Sequence, residues 1–186
     1  MGFALAEELA SRGANVILVA GPVQLRTINK NIHRIDVTSA DEMNEQCLSL
    51  FPSVDGAVMC AAVADYMPVN EADNKMKSGK GNFTIELKPT PDIASGLGRI
   101  KNEKQFLVGF ALETNNEKEN ALAKLKKKNL DFIVLNSLND PGAGFQTDTN
   151  KITIIDKYNN LFKFELKTKE QVAVDIVDRM IDDLGL

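Results

Sequence analysis

Residues 105–135, QFLVGFALETNNEKENALAKLKKKNLDFIVL, hold the pattern that decides the fold. The strand expected over 105–111 is apolar throughout once past Gln105, as a strand buried on both faces should be, and 131–135 repeat the pattern after Asp131. Between them, Thr114-x-x-Glu117 reads as a helix cap, and Ala121, Leu125 and Lys128 recur at helical spacing before the helix ends near Asn129. Two such strands joined by an amphipathic helix form the β-α-β unit of a parallel sheet.

The alternation continues outward on both sides. Toward the N-terminus, 57–62, 33–37 and 15–20 read as strands, and 83–87 alternates as a half-exposed strand would. Helices are expected over 2–12, stopped by Gly13, then to 51 from a cap at Thr38 or Ser39, with Glu42 completing a capping box with Ser39, and over 91–100, with Pro91 in the first turn. Toward the C-terminus, 151–156 and 161–166 form a hairpin around Tyr158-Asn159-Asn160. A last helix over 169–184 buries Val172, Ile176, Met180 and Leu184. The expected fold is α/β: one domain over 1–186 with a doubly wound, mostly parallel, Rossmann-like sheet and a C-terminal antiparallel hairpin. The chain opens on a helix, with no strand or glycine-rich turn before it, where such folds usually place the central strand.

Composition narrows the chemistry. The chain has 186 residues, 44% hydrophobic and 26% charged, enough to bury a core without staples. No apolar run approaches the ~18 residues of a membrane span. The acidic start MGFALAEELA is not a signal peptide, and Ala6 breaks the myristoylation pattern, so a cytoplasmic chain with no membrane partner is expected. The net charge of −4 argues against a nucleic-acid partner. One histidine, His33, leaves nothing for a triad or a multi-histidine zinc site, and Cys47 and Cys60 form no C-x-x-C. Catalysis would rest on Lys, Asp, Asn, backbone amides or a bound metal.

Ligands of open parallel sheets bind beyond the carboxyl ends of the strands. There, Asp65 offers a carboxylate to a ribose hydroxyl or a magnesium ion, or simply caps a turn. Lys75, Lys77 and Lys80 lie in a glycine-containing loop that either closes over a ligand or is solvated. Phe110 could stack on a planar group or pack in the core. Lys124 and Lys128, four apart on one helix face, complement the helix dipole or reach a polyphosphate. Asp92, beside Pro91, Ile93 and Ala94, is a first-turn acid at a helix start whose free amides can meet an acceptor group. Asn136, at the end of the 131–135 strand, is a further candidate contact, while Cys60 reads as a small buried hydrophobe.

Taken together, Ala61-Ala62-Val63-Ala64-Asp65-Tyr66-Met67-Pro68 with Lys75 beyond it resembles phosphopantothenoylcysteine synthetase, the phosphopantothenate–cysteine ligase of coenzyme A biosynthesis. Gly21-Pro22-Val23, Pro91-Asp92-Ile93, Val108-Gly109-Phe110-Ala111-x-Glu113-Thr114-Asn115, Lys128-Asn129-Leu130-Asp131 and Gly144-Phe145 extend the resemblance over nearly the whole chain. It implies a two-step ligation with CTP as co-substrate and magnesium as cofactor. The 4′-phosphopantothenate carboxylate attacks the α-phosphate of CTP to give an acyl-cytidylate and pyrophosphate. The amine of cysteine then displaces CMP to give 4′-phospho-N-pantothenoylcysteine.

By the same resemblance, Lys75 is the catalytic flap lysine and Asp65 a contact to the ribose or metal. Pro91, Asp92, Ile93 and Ala94 form the segment that reads the cytosine. Phe110 packs on the nucleotide, and Lys124 and Lys128 bind its phosphates. No residue is assigned as a direct metal ligand. A homodimer is expected, and the Pro-Asp-Ile segment favours CTP over the ATP of eukaryotic relatives. Family members carry a strand and an I-S-N-x-S-S-G-K-type loop before the segment matching Met1-Gly2-Phe3. An N-terminally incomplete ligase domain is therefore expected, without an upstream flavin-dependent decarboxylase domain and with weak or no full turnover. The rival reading is a nucleotide-binding remnant. A Rossmann-type oxidoreductase would need a G-x-G-x-x-G turn, which the sequence lacks.

Overall fold

The computed structural model describes residues 1–70, 74, 82–113, 115–137 and 148–184. The 105–135 unit folds as read: β6 (Phe106–Glu113), α4 (Glu117–Lys127) and β7 (Phe132–Ser137), with β6 and β7 parallel and Val108 opposite Phe132. Before it come α1 (Gly2–Ser11), β1 (Val16–Ala20), β2 (Ile32–Asp36), α2 (Ala40–Leu50), a 3-10 turn (Phe51–Ser53), β3 (Gly56–Met59), β4 (Tyr66–Pro68), β5 (Leu87–Pro89) and α3 (Ile93–Ile100). After it come β8 (Thr149–Asn150), β9 (Ile152–Asp156), β10 (Leu161–Lys163), β11 (Lys167–Thr168) and α5 (Lys169–Leu184).

The main sheet has the order β10-β9-β7-β6-β3, parallel from β3 to β7 and antiparallel through β9 and β10. Alternation along its strands feeds two cores. Leu107, Ala111, Ile133, Leu135 and Ile155 meet Met43 of α2, Ile93 and Leu97 of α3, and Ala121 and Leu125 of α4. Phe106, Val108, Phe132, Val134 and Ile154 meet Leu5 of α1 and Val172, Ile176 and Val177 of α5. Burial on both faces is why these strands read as continuous apolar runs. β1 and β2 form a separate parallel pair, with Val19 and Ile35 packed against the first core. Among the described residues, no ladder joins β1 to β3. Gly13, at φ +94, ends α1 as expected.

Five readings shift. The strand expected over 83–87 is displaced: β5 covers Leu87–Pro89 and pairs antiparallel with β4, a three-residue element inside the polar stretch with too few residues to show a period. Asp92 is the N-cap of α3, which puts Pro91 before the helix rather than in its first turn. The N-cap of α4 is Asn116, in the left-handed region at φ +46, whereas Thr114 lies outside the described residues. The hairpin forms but is shorter, its turn held by the Asp156 carboxylate, which accepts from the amides of Tyr158 at 2.9 Å and Asn160 at 2.8 Å. The capping box keeps the Ser39 half, Oγ accepting from the Glu42 amide, while the Glu42 carboxylate turns back to the amide and hydroxyl of Thr38.

Below the sheet, at the amino ends of β6 and β7, the Asp131 carboxylate accepts from Lys101 Nζ at 2.9 Å, the Leu107 amide at 2.8 Å and Lys157 Nζ at 3.0 Å. Burial works to raise its pKa, but these hydrogen bonds outweigh burial and hold the carboxyl below its ordinary range. Asp131→Ala strands the buried Lys101 ammonium and the Leu107 amide, and is expected to cost about 3 kcal/mol. Because the folded-state pKa is depressed, this contribution is complete above the unfolded value of about 4 and is lost as pH falls through the folded one. Urea unfolding of both proteins should therefore show a gap at pH 7 that narrows below about pH 4.

Candidate functional site

The carboxyl edge of the sheet is built around β3, α3 and α4. Past β3 the chain runs through 60–65 without regular structure and is stitched to the segment before α3. The Thr90 amide donates to the Asp65 carbonyl at 3.0 Å, and Thr90 Oγ1 donates to the Ala64 carbonyl at 2.5 Å. One residue on, Pro91 leads into Asp92, whose carboxylate accepts from the amide and hydroxyl of Ser95 at 3.1 and 2.8 Å. Ile93 is buried and anchors the helix start in the core.

From the neighbouring helix, Lys128 Nζ donates to Asp92 Oδ1 at 2.9 Å. Burial tends to raise the Asp92 pKa, but the bonds from Lys128 and Ser95 prevail and hold it below the ordinary carboxylate range. Lys128 can reach across because α3 and the end of α4 touch backbone to backbone at Gly98. A Cβ there would overlap the Lys128 carbonyl, and Asn129 Nδ2 donates to the Gly98 carbonyl at 2.9 Å. One turn earlier, Lys124 Nζ donates to Glu113 Oε1 at 2.6 Å. Lys126 and Lys127 are exposed, with no ion pair among the described residues.

The structure thus groups Asp65, Pro91, Asp92, Ile93, Ala94, Lys124 and Lys128 along one side of the sheet. Asp65 is exposed, and its carboxylate has no described hydrogen bond. Phe110 sits elsewhere: alternation along β6 turns it to the opposite face, against the core that α1 and α5 cover. Lys75 lies outside the described residues, as do Lys77, Lys80, Gly144 and Phe145. Cys60 is half-buried, and burial pushes its thiol up to about 11, fitting a hydrophobe rather than a nucleophile. Among the described residues, the buried Oδ1 of Asn136 has no hydrogen-bond partner. Sequence reasoning overlooked Thr90 and weighed Glu113 only as a motif letter. A threonine before proline carries no distinctive signal, and the meeting of Glu113 with Lys124 depends on how α4 docks.

Lys124 and Lys128 are each matched by a carboxylate and so offer directional N–H donors rather than bare charge. Among the described residues no three His, Cys, Asp or Glu side chains come together to cage a metal ion. The donor set therefore fits a magnesium ion only where it arrives on ligand phosphates with Asp65 as the carboxylate at hand; there it would supply charge neutralisation. A cleft of about 280 Å³ lined by Phe106, Asp131, Lys157 and Asp183 opens at the opposite edge of the sheet, away from these residues.

Comparison with known proteins gives the chain a family and relatives along its whole length. The family described as DNA/pantothenate metabolism flavoprotein C-terminal domain matches residues 1–184. A cysteine/cysteine sulfinic acid decarboxylase from an unknown prokaryotic organism is 56% identical over 181 residues, covering 97% of this chain and 50% of that protein. The coenzyme A biosynthesis bifunctional protein CoaBC of Haemophilus influenzae is 43% identical over 182 residues, covering 98% of this chain and 45% of that protein. The crystal structure of the C-terminal domain of CoaBC superposes with a TM-score of 0.80 at 35% identity, covering 98% of this chain and 81% of that chain. The chain spans about half the length of the curated relatives it matches.

Three substitutions test the geometry. Asp92→Ala removes both the cap and the partner of Lys128 and should cost about 1–2 kcal/mol, whereas Asp92→Asn keeps the cap and should cost under about 1 kcal/mol. Gly98→Ala must push α3 from α4 and should cost about 1–3 kcal/mol. Thermal unfolding checks all three.

Proposed function

The chain belongs to the DNA/pantothenate metabolism flavoprotein C-terminal domain family, and on that footing we propose that it carries out the CTP-driven ligation of 4′-phosphopantothenate to cysteine. The observation that carries this reading is the junction of Lys128 with Asp92 at 2.9 Å. It joins the segment expected to read the base to the helix expected to hold the phosphates.

The difficulty of the reaction is bringing an anionic carboxylate onto a polyanionic triphosphate, in a chain whose own net charge is −4. Lys124 and Lys128 take phosphate oxygens, and Lys75 meets the charge that develops on the α-phosphate as the carboxylate attacks and pyrophosphate leaves. Backbone groups of Pro91, Asp92, Ile93 and Ala94 orient the cytosine, and Asp65 contacts the ribose or the metal carried by the nucleotide. The amine of cysteine then attacks the acyl-cytidylate carbonyl and CMP departs. Phe110, on the far face, has no such neighbour, and its contact with the nucleotide rests on the resemblance alone. A cytoplasmic homodimer is part of the same proposal; among the described residues no helix is long and apolar enough to cross a membrane.

The test is pyrophosphate release from CTP, magnesium and 4′-phosphopantothenate, with and without cysteine. Release followed by amide formation supports the full ligase. Release without the amide confines the chain to the activating step, and CTP binding without release leaves a nucleotide-binding remnant. In an active chain Lys75→Ala should lower kcat by roughly 10²-fold or more, as loss of a donor at developing charge does. Lys128→Ala should act mainly on the KM for CTP.

A further inference from the structure

Four lysines crowd the end of α4; among the described residues two of them are held, one by a residue with no role assigned above. Glu113 is the last residue of β6, and the alternation of the strand puts its side chain on the face covered by α3 and α4. Both its carboxylate oxygens are engaged: Oε1 accepts from Lys124 Nζ at 2.6 Å, and Oε2 accepts from Asn120 Nδ2 at 3.1 Å. Asn120 Nδ2 also donates to the Asn115 carbonyl at 3.0 Å, tying the carboxylate to the turn that starts α4. Asn120 and Lys124 are four apart, so a single carboxylate bridges one face of the helix.

The partners are unequal. The Glu113 side chain is 12% exposed, and that of Lys124 is 43% exposed. The acid is the fixed member and the lysine the outward one. We infer that Glu113 is a positioning residue that aims the Lys124 ammonium at the nucleotide phosphates, an inference that rests on the reading of Lys124 above. One N–H of Lys124 is spent on Glu113 and two remain for phosphate oxygens. Glu113 does not leave when a phosphate arrives, because a mostly buried carboxylate would then keep only its bond from Asn120. Fixing a long, rotamer-rich side chain before binding spares that ordering when the ligand docks. Lys126 and Lys127 are exposed and have no such holder among the described residues.

Positioning and competition predict opposite signs. A carboxylate that merely competed with phosphate for Lys124 would weaken binding, and its removal would tighten it. The experiment measures KM and kcat for CTP in pyrophosphate release, with binding of inorganic tripolyphosphate as a direct probe. Glu113→Ala is expected to raise the KM about 5–10-fold with kcat within about twofold, the size of effect that losing one ordered side chain gives. Glu113→Gln, which keeps an acceptor for Lys124, should recover most of that loss. Asn120→Ala, at an exposed site, should raise the KM about two- to threefold and decides the matter should Glu113→Ala fail to fold. Unchanged or tighter binding in these variants, with Lys124→Ala still weakening it, overturns the role of Glu113. If Lys124→Ala itself binds tripolyphosphate and CTP like the parent, the phosphate-site reading fails instead.

Discussion

A single buried carboxylate holds the sheet to its surroundings. Asp131 gathers the Lys101 ammonium at the end of α3, the Leu107 amide at the start of β6 and Lys157 in the β9–β10 turn. Without it the Lys101 ammonium and the Leu107 amide, both largely out of water, would be stranded, whereas the half-exposed Lys157 would turn to solvent. Such a pin adds little net energy over an apolar substitute, because desolvation offsets much of the attraction. Its effect is geometric. It sets where β7 begins relative to β6 and where α3 ends, and so determines what reaches the opposite edge.

The position set by Asp131 is carried upward through helix packing. α3 runs from Asp92 at the carboxyl edge to Lys101 at the amino edge, and α4 crosses it closely enough that only glycine fits at position 98. That contact brings the end of α4 beside the start of α3, where Lys128 meets Asp92. The candidate edge and the structural pin are thus two ends of one helix. Tight packing of this kind transmits small displacements rather than absorbing them.

Charge at the edge is arranged in matched pairs. Glu113 with Lys124 and Asp92 with Lys128 place donors in fixed directions while leaving little net field. An acidic chain can in this way offer directed donors to phosphate without a broadly basic surface, which would also attract unrelated polyanions. The sheet imposes a second division. Successive residues of β6 face opposite layers, so Glu113 joins the lysines while Phe110 packs beneath α1 and α5.

Local periodicity and capping chemistry were enough to read the β-α-β unit of 105–135, the strands read at 15–20 and 151–156 to within a residue, the hairpin turn and most helix ends, because hydrophobic alternation and caps act over a few residues. Motif spacing was enough to point to the ligase family and its candidate residues. Tertiary structure alone decided which of those residues meet. The β4–β5 ribbon depends on a pairing across about 20 residues, with no period of its own. The partners of Asp131 come from α3, β6 and the β9–β10 turn, and those of Lys124 and Lys128 from β6 and α3. Nothing in the local sequence announces a partner 11, 26 or 36 residues away. Which carboxylate meets which lysine follows from how helices dock on a sheet, and docking is set by the whole core at once.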